Sequence, residues 1–160
     1  MHSRTRPLVI GVGNAMRQDD GAGPVLVKRL MHSWGDGCEF AVRSGEGGLL
    51  MLLWAGRGTV IVVDAVSSGA APGTIHRIDA HQQPVPTKFF NYSTHAFSLA
   101  EAVELSRVLG TLPDRLIIYG VEGERFDAGD SLSGSVGSAL DKVASLIRAE
   151  LARATSEAAA

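Results

Sequence analysis

A single cysteine, Cys38, occurs among the 160 residues of the chain. One thiol excludes an internal disulfide and a thiolate metal cluster. Cys38 starts a predicted strand, where a buried, inert thiol is expected rather than a nucleophile. A dominant charge is also lacking. The formal net charge of −2 gives no reason to expect nucleic acid or an anionic membrane as a partner. No apolar run is long enough to span a membrane. The segment after the basic stretch Met1-His-Ser-Arg-Thr-Arg6 is too short, and too broken by glycine, for a signal-peptide core. A cytoplasmic location is the expectation. Among enzyme signatures there is no His-Glu-x-x-His, no Gly-x-Ser-x-Gly elbow and no Walker loop. A hydrolase built on this chain is therefore not of a familiar serine, cysteine or zincin type.

What the chain does contain is an ordinary globular balance, 45% hydrophobic and 20% charged. One domain over residues 1–160 is expected, burying about 70% of its unfolded surface. Its compact part spans about 7–151, with residues 1–6 and 152–160 flexible.

The richest segment is the loop Gly11-Val-Gly-Asn14-Ala-Met-Arg17-Gln-Asp19-Asp20-Gly-Ala-Gly23-Pro24. It follows the apolar run Pro7-Leu-Val-Ile10, which reads as a strand buried on both faces. It precedes a helix over about 21–33, announced by Pro24 and the periodic Val25, Leu26 and Leu30. Acidic side chains thus stand at the carboxyl end of a buried strand, where open α/β sheets bind ligands. The dinucleotide fingerprint Gly-x-Gly-x-x-Gly is incomplete, because Met16 takes the third glycine's place. Asp19 and Asp20 would also repel a pyrophosphate. One aspartate is expected to cap the helix, and a cap does not require two.

Further strands are predicted at Cys38–Arg43, Thr59–Val63, Gly73–Ile78 and Arg115–Tyr119. The β-branched run at 59–63 is central and ends at Asp64; the alternating run at 73–78 suits a half-exposed edge. About nine residues join those two, too few for a parallel crossover, so the fourth strand should run antiparallel. Leu49–Trp54 is too rich in leucine for a strand. Residues 79–94 form a long connection of the kind that is often functional. Ser93-Thr94-His95 opens a helix with Thr94 as cap, and the last helix starts near Ser133 and frays from Ala152.

Asp20, Asp64 and His95 are then equivalent in topology. If the first and third strands are neighbours, all three face the crevice at the strands' carboxyl ends. Two carboxylates and an imidazole make a borderline metal site with open positions, suited to nickel, zinc, copper or iron. The same residues also have structural readings, with Asp64 capping a turn and His95 held neutral at a helix start. His2, His32, His76 and His81 have no carboxylate at ligand spacing and are expected to be solvated or locally satisfied.

Gly-Val-Gly-Asn14, Asp19-Asp20-Gly-x-Gly23, Val-Val-Asp64-Ala, Pro-Gly-Thr74, Ser-x-His95 and Tyr119-Gly-Val-Glu-Gly-Glu-Arg-Phe126 occur in this order. Together they resemble the NiFe-hydrogenase maturation endopeptidases, in register from about residue 8 to 150. The resemblance implies an α/β fold, a three-layer α/β/α sandwich around a five-stranded sheet. It implies removal of a C-terminal extension from the hydrogenase large-subunit precursor after nickel insertion. It also implies that Asp20, Asp64 and His95 contact the metal. The family often has Glu where Asp20 stands, and many members read Asp-Gly-Gly where this chain has Ser44-Gly45-Glu46. Nickel is expected to arrive with the precursor, because two carboxylates and one imidazole hold a soft metal weakly. Asp20 or Asp64 is the candidate base. Glu122 and Arg125 are expected either to help bind the peptide or to form a surface ion pair. Two other readings stay open: a non-catalytic protein that binds the metal centre, and a small-nucleotide binder using the Gly11–Gly13 turn.

Overall fold

A computed structural model describes residues 6–159; the expected flexibility of residues 1–5 lies outside the described residues. The elements are β1 (Leu8–Val12), α1 (Ala22–Ser33), β2 (Glu39–Arg43), α2 (Gly47–Trp54), β3 (Thr59–Val66), β4 (Ile75–Asp79), α3 (Leu99–Leu109), β5 (Arg115–Glu122) and α4 (Gly134–Ala159). Short 3-10 turns occur at Gln18–Gly21 and Thr87–Phe90.

The five strands form one sheet in the order β2-β1-β3-β5-β4. All neighbours pair parallel except β4 on β5, so the antiparallel edge strand is where the short connection placed it. Alternation within strands splits the core into two halves. Leu8, Ile10 and Val12 pack with Val60, Val62 and the α2 and α3 residues Leu50, Trp54, Leu99 and Val103. Val9, Ile61 and Val63 pack on the other face with Leu26 and Leu30 of α1 and with Leu140, Val143 and Ile147 of α4. The result is the three-layer sandwich. Trp54 fills the first half and donates its indole N–H to Ser106 Oγ at 3.0 Å, tying α2 to α3. Among the described residues, no helix is long and apolar enough to cross a membrane.

Gly11 and Gly23 serve packing. A Cβ on Gly23 would lie 2.4 Å from the Val63 carbonyl oxygen, and one on Gly11 would lie 2.5 Å from that of Gly23. Glycine lets α1 rest directly on β1 and β3.

Three boundaries differ from expectation. The helix predicted at Ser93–His95 starts at Leu99. Ser98, not Thr94, is its cap: its N–H and hydroxyl donate to the Glu101 carboxylate at 3.0 and 2.6 Å. Residues before it turn instead, with the His95 N–H bonded to Ser93 Oγ at 3.2 Å. β3 does not end at Asp64 but continues to Val66, because β5 runs beside it that far. The helix expected to fray at Ala152 continues to Ala159. Alanine favours helix strongly and no glycine or proline stops it, while Arg115 reaches Glu157 at 3.7 Å.

Candidate active site

β1 and β3 are adjacent, and their pairing stops at Gly11 and Val63. Asp64, one residue further, therefore has a strand neighbour only on the β5 side. α1 and α2 leave β1 and β2 for opposite faces of the sheet. A crevice follows at this switch point. It is a cavity of about 290 Å³ whose lining includes Asp20, Asp64 and His95 together.

The loop after β1 is braced on both sides. Gly13 has φ +138°, and a Cβ there would lie 1.9 Å from the Asp20 carbonyl oxygen. That contact folds Asp20 beneath the turn, where its carboxylate accepts the Asn14 N–H at 3.0 Å. Gln18 has φ +50°, the one left-handed non-glycine among the described residues. The reversal there sends Asp19 inward while Arg17 and Asp20 face the cavity. Asp19 is fully buried and accepts four bonds: from the Ser133 N–H and hydroxyl, each at 2.7 Å, and from the Glu124 and Arg125 N–H groups at 2.8 and 2.9 Å. Burial opposes its charge, but the bonds from Ser133, Arg125 and Glu124 outweigh it and hold its pKa below the usual value. Neither aspartate caps α1, which starts after Gly21 with no side-chain cap; Asp19 instead ties this loop to Ser133, the residue before α4.

The two cavity carboxylates are displaced the other way. Burial raises the pKa of Asp20, against the Asn14 bond and the Arg17 charge. Asp64 lies well above the usual range, through burial and then through the nearby Asp20 charge. Between them is Tyr92, whose hydroxyl donates to the Ala65 carbonyl and whose ring stacks on Phe126 at 4.0 Å. Burial and then the two carboxylates push the Tyr92 pKa well up. No sequence pattern marked Tyr92; it sits in the aperiodic connection, three positions before His95. His95 reaches the same cavity from that loop.

Other expectations resolve differently. Glu122 does not line the cavity: its buried carboxylate accepts Ser68 N–H at 2.7 Å, Ser68 hydroxyl at 2.8 Å and Gly69 N–H at 3.0 Å, and lies 3.2 Å from His76 Nε2. It fixes the turn after β3. Arg125 is not in the lining either; its Nε donates to Ser133 Oγ at 3.3 Å. Ser44 and Gly45 line the cavity, and Glu46 caps α2 by accepting Gly48 and Leu49 N–H at 3.0 and 2.9 Å. His81 is satisfied by the Pro113 carbonyl at 2.8 Å. Burial raises the Cys38 thiol to about 11, the inert state expected of it.

Asp20, Asp64 and His95 share one cavity without closing on one point. Among the described residues, no three His, Cys, Asp or Glu side chains stand close enough to hold an ion. The donor set still suits a borderline metal brought in with other ligands.

A sequence profile described as hydrogenase maturation protease, HycI, matches residues 45–150. The chain is 30% identical to the hydrogenase 2 maturation protease of Escherichia coli over 157 residues, 96% of this chain and 94% of that protein. It is also 30% identical to the hydrogenase expression/formation protein HupD of Thiocapsa roseopersicina, covering 79% of this chain but spanning only 58% of that protein's length. The structure of the hydrogenase-maturating endopeptidase HybD from Escherichia coli superposes with a TM-score of 0.79, at 28% identity and 93% coverage of both chains.

Proposed function

The chain is a protease of the hydrogenase maturation family, and from that premise we propose that it removes the C-terminal extension of a NiFe-hydrogenase large-subunit precursor once nickel is in place. The observation that carries this reading is the meeting of Asp20, Asp64 and His95 in one cavity at the β1/β3 switch point. Nickel belongs to the substrate here. Held by the precursor's own groups, it would gain bonds from the two carboxylates and the imidazole on docking. Neither partner's ligands suffice alone, so binding is conditional on both. The enzyme then ignores an unloaded precursor.

Proton transfer falls to the carboxylates. Asp20 or Asp64, through a carboxylate oxygen that the metal leaves free, acts as the base. Asp20 lies nearer the cavity mouth at 8% exposure and suits contact with the incoming centre. Incubating the protein with nickel-loaded and nickel-free precursor tests the reading by mass spectrometry of the large subunit. Cleavage of the loaded form alone is expected. Cleavage of the nickel-free form overturns the gating, and binding without cleavage makes the chain a recognition protein instead.

A further inference from the structure

Arg17 lines the cavity, the one lysine or arginine to do so among the described residues. It is half-buried, yet its guanidinium enters none of the ion pairs among the described residues. Its backbone is nevertheless fixed on both sides. The Arg17 N–H donates to the Asn14 carbonyl at 3.1 Å, its carbonyl accepts the Asp20 N–H at 3.2 Å, and the next residue bonds to the Gly129 carbonyl at 2.8 Å. The side chain thus projects from a braced turn with its forked donors free. Such a planar fork can receive negative charge on oxygen through two N–H groups at once.

Resting on the peptidase reading above, we propose that Arg17 is a catalytic residue that binds the scissile carbonyl oxygen. The water oxygen bonds to the carbonyl carbon as a carboxylate takes one of its protons. The C=O electron pair moves onto the oxygen, and the Arg17 N–H groups stabilise that charge. When the C–N bond breaks, both water protons end on the departing amine. The new C-terminal carboxylate is left against the same guanidinium.

Arg17→Met keeps the aliphatic stem and removes the donors. With nickel-loaded precursor, its kcat is expected to fall about 100- to 1,000-fold at nearly unchanged KM. A fall below tenfold, or a loss confined to KM, overturns the proposal. Circular dichroism and the thermal midpoint check the fold. If Arg17→Met is unfolded, Arg17→Lys is read by the same tenfold threshold, since lysine keeps the charge but not the planar fork. Absence of cleavage by the wild-type protein overturns the peptidase reading and this role with it. Normal wild-type cleavage with an unaffected variant overturns this role alone.

Discussion

Replacing Asp19 by alanine is expected to cost far more than losing an ordinary surface carboxylate. Its side chain accepts four bonds, two of them from the buried N–H and hydroxyl of Ser133. An unmatched buried donor costs about 1–3 kcal/mol. The N–H groups of Glu124 and Arg125 are only partly buried and regain water, leaving about 0.5–1 kcal/mol each. The total is about 3–8 kcal/mol, a large share of the roughly 5–15 kcal/mol that stabilises a domain. In urea, a 4 kcal/mol loss at an m-value of about 2 kcal/mol/M moves the midpoint down by about 2 M. The acid limb should change as well. Because Asp19 has a lowered pKa when folded, its contribution is present above the unfolded value and is lost as pH falls through the folded one. The variant should therefore lose less stability on acidification than the wild type. A midpoint shift under about 0.5 M, or an unchanged acid limb, would refute the role of Asp19 as the clasp between the two loops.

Asp64→Asn should abolish cleavage while raising stability at neutral pH by about 0.5–2 kcal/mol, because it removes a buried charge that also repels Asp20; calorimetry and the precursor assay read both. Gly23→Ala should cost about 3 kcal/mol or more in urea, since the new methyl meets carbonyl oxygens of two strands. Glu122→Gln should cost about 1–2 kcal/mol and leave cleavage within threefold of wild type, because its carboxylate serves the Ser68–Gly69 turn and not the cavity.

The sheet was legible where local signals are strong. The β-branched run at 59–63 and the short connection before β4 are backbone-level constraints that tertiary context does not override. The site was legible as topology: the ends of β1 and β3 had to adjoin for Asp20 and Asp64 to share a crevice, and they do. Division of labour inside a motif was not. Asp19 and Asp20 are adjacent and chemically identical, and only the left-handed turn at Gln18 decides which faces inward. Glu122 and Arg125 stand outside the cavity lining for a related reason. Charged residues after a strand suggest a binding rim, but Glu122 points at donors from a turn 54 residues away in sequence. Tyr92 had no signal at all, because its partners Ala65 and Phe126 come from distant segments.

The contact between Asp19 and Ser133 joins positions 114 residues apart. At a synthesis rate of about 5–20 residues per second, the loop that carries Asp20 waits about 6–23 s for the segment that secures it. β1 and β3, with Asp64, are complete long before. The cavity loop is therefore not fully secured until the chain has been synthesised past Ser133. A product that stops short of Ser133 retains both cavity carboxylates but loses two of the four bonds that hold Asp19.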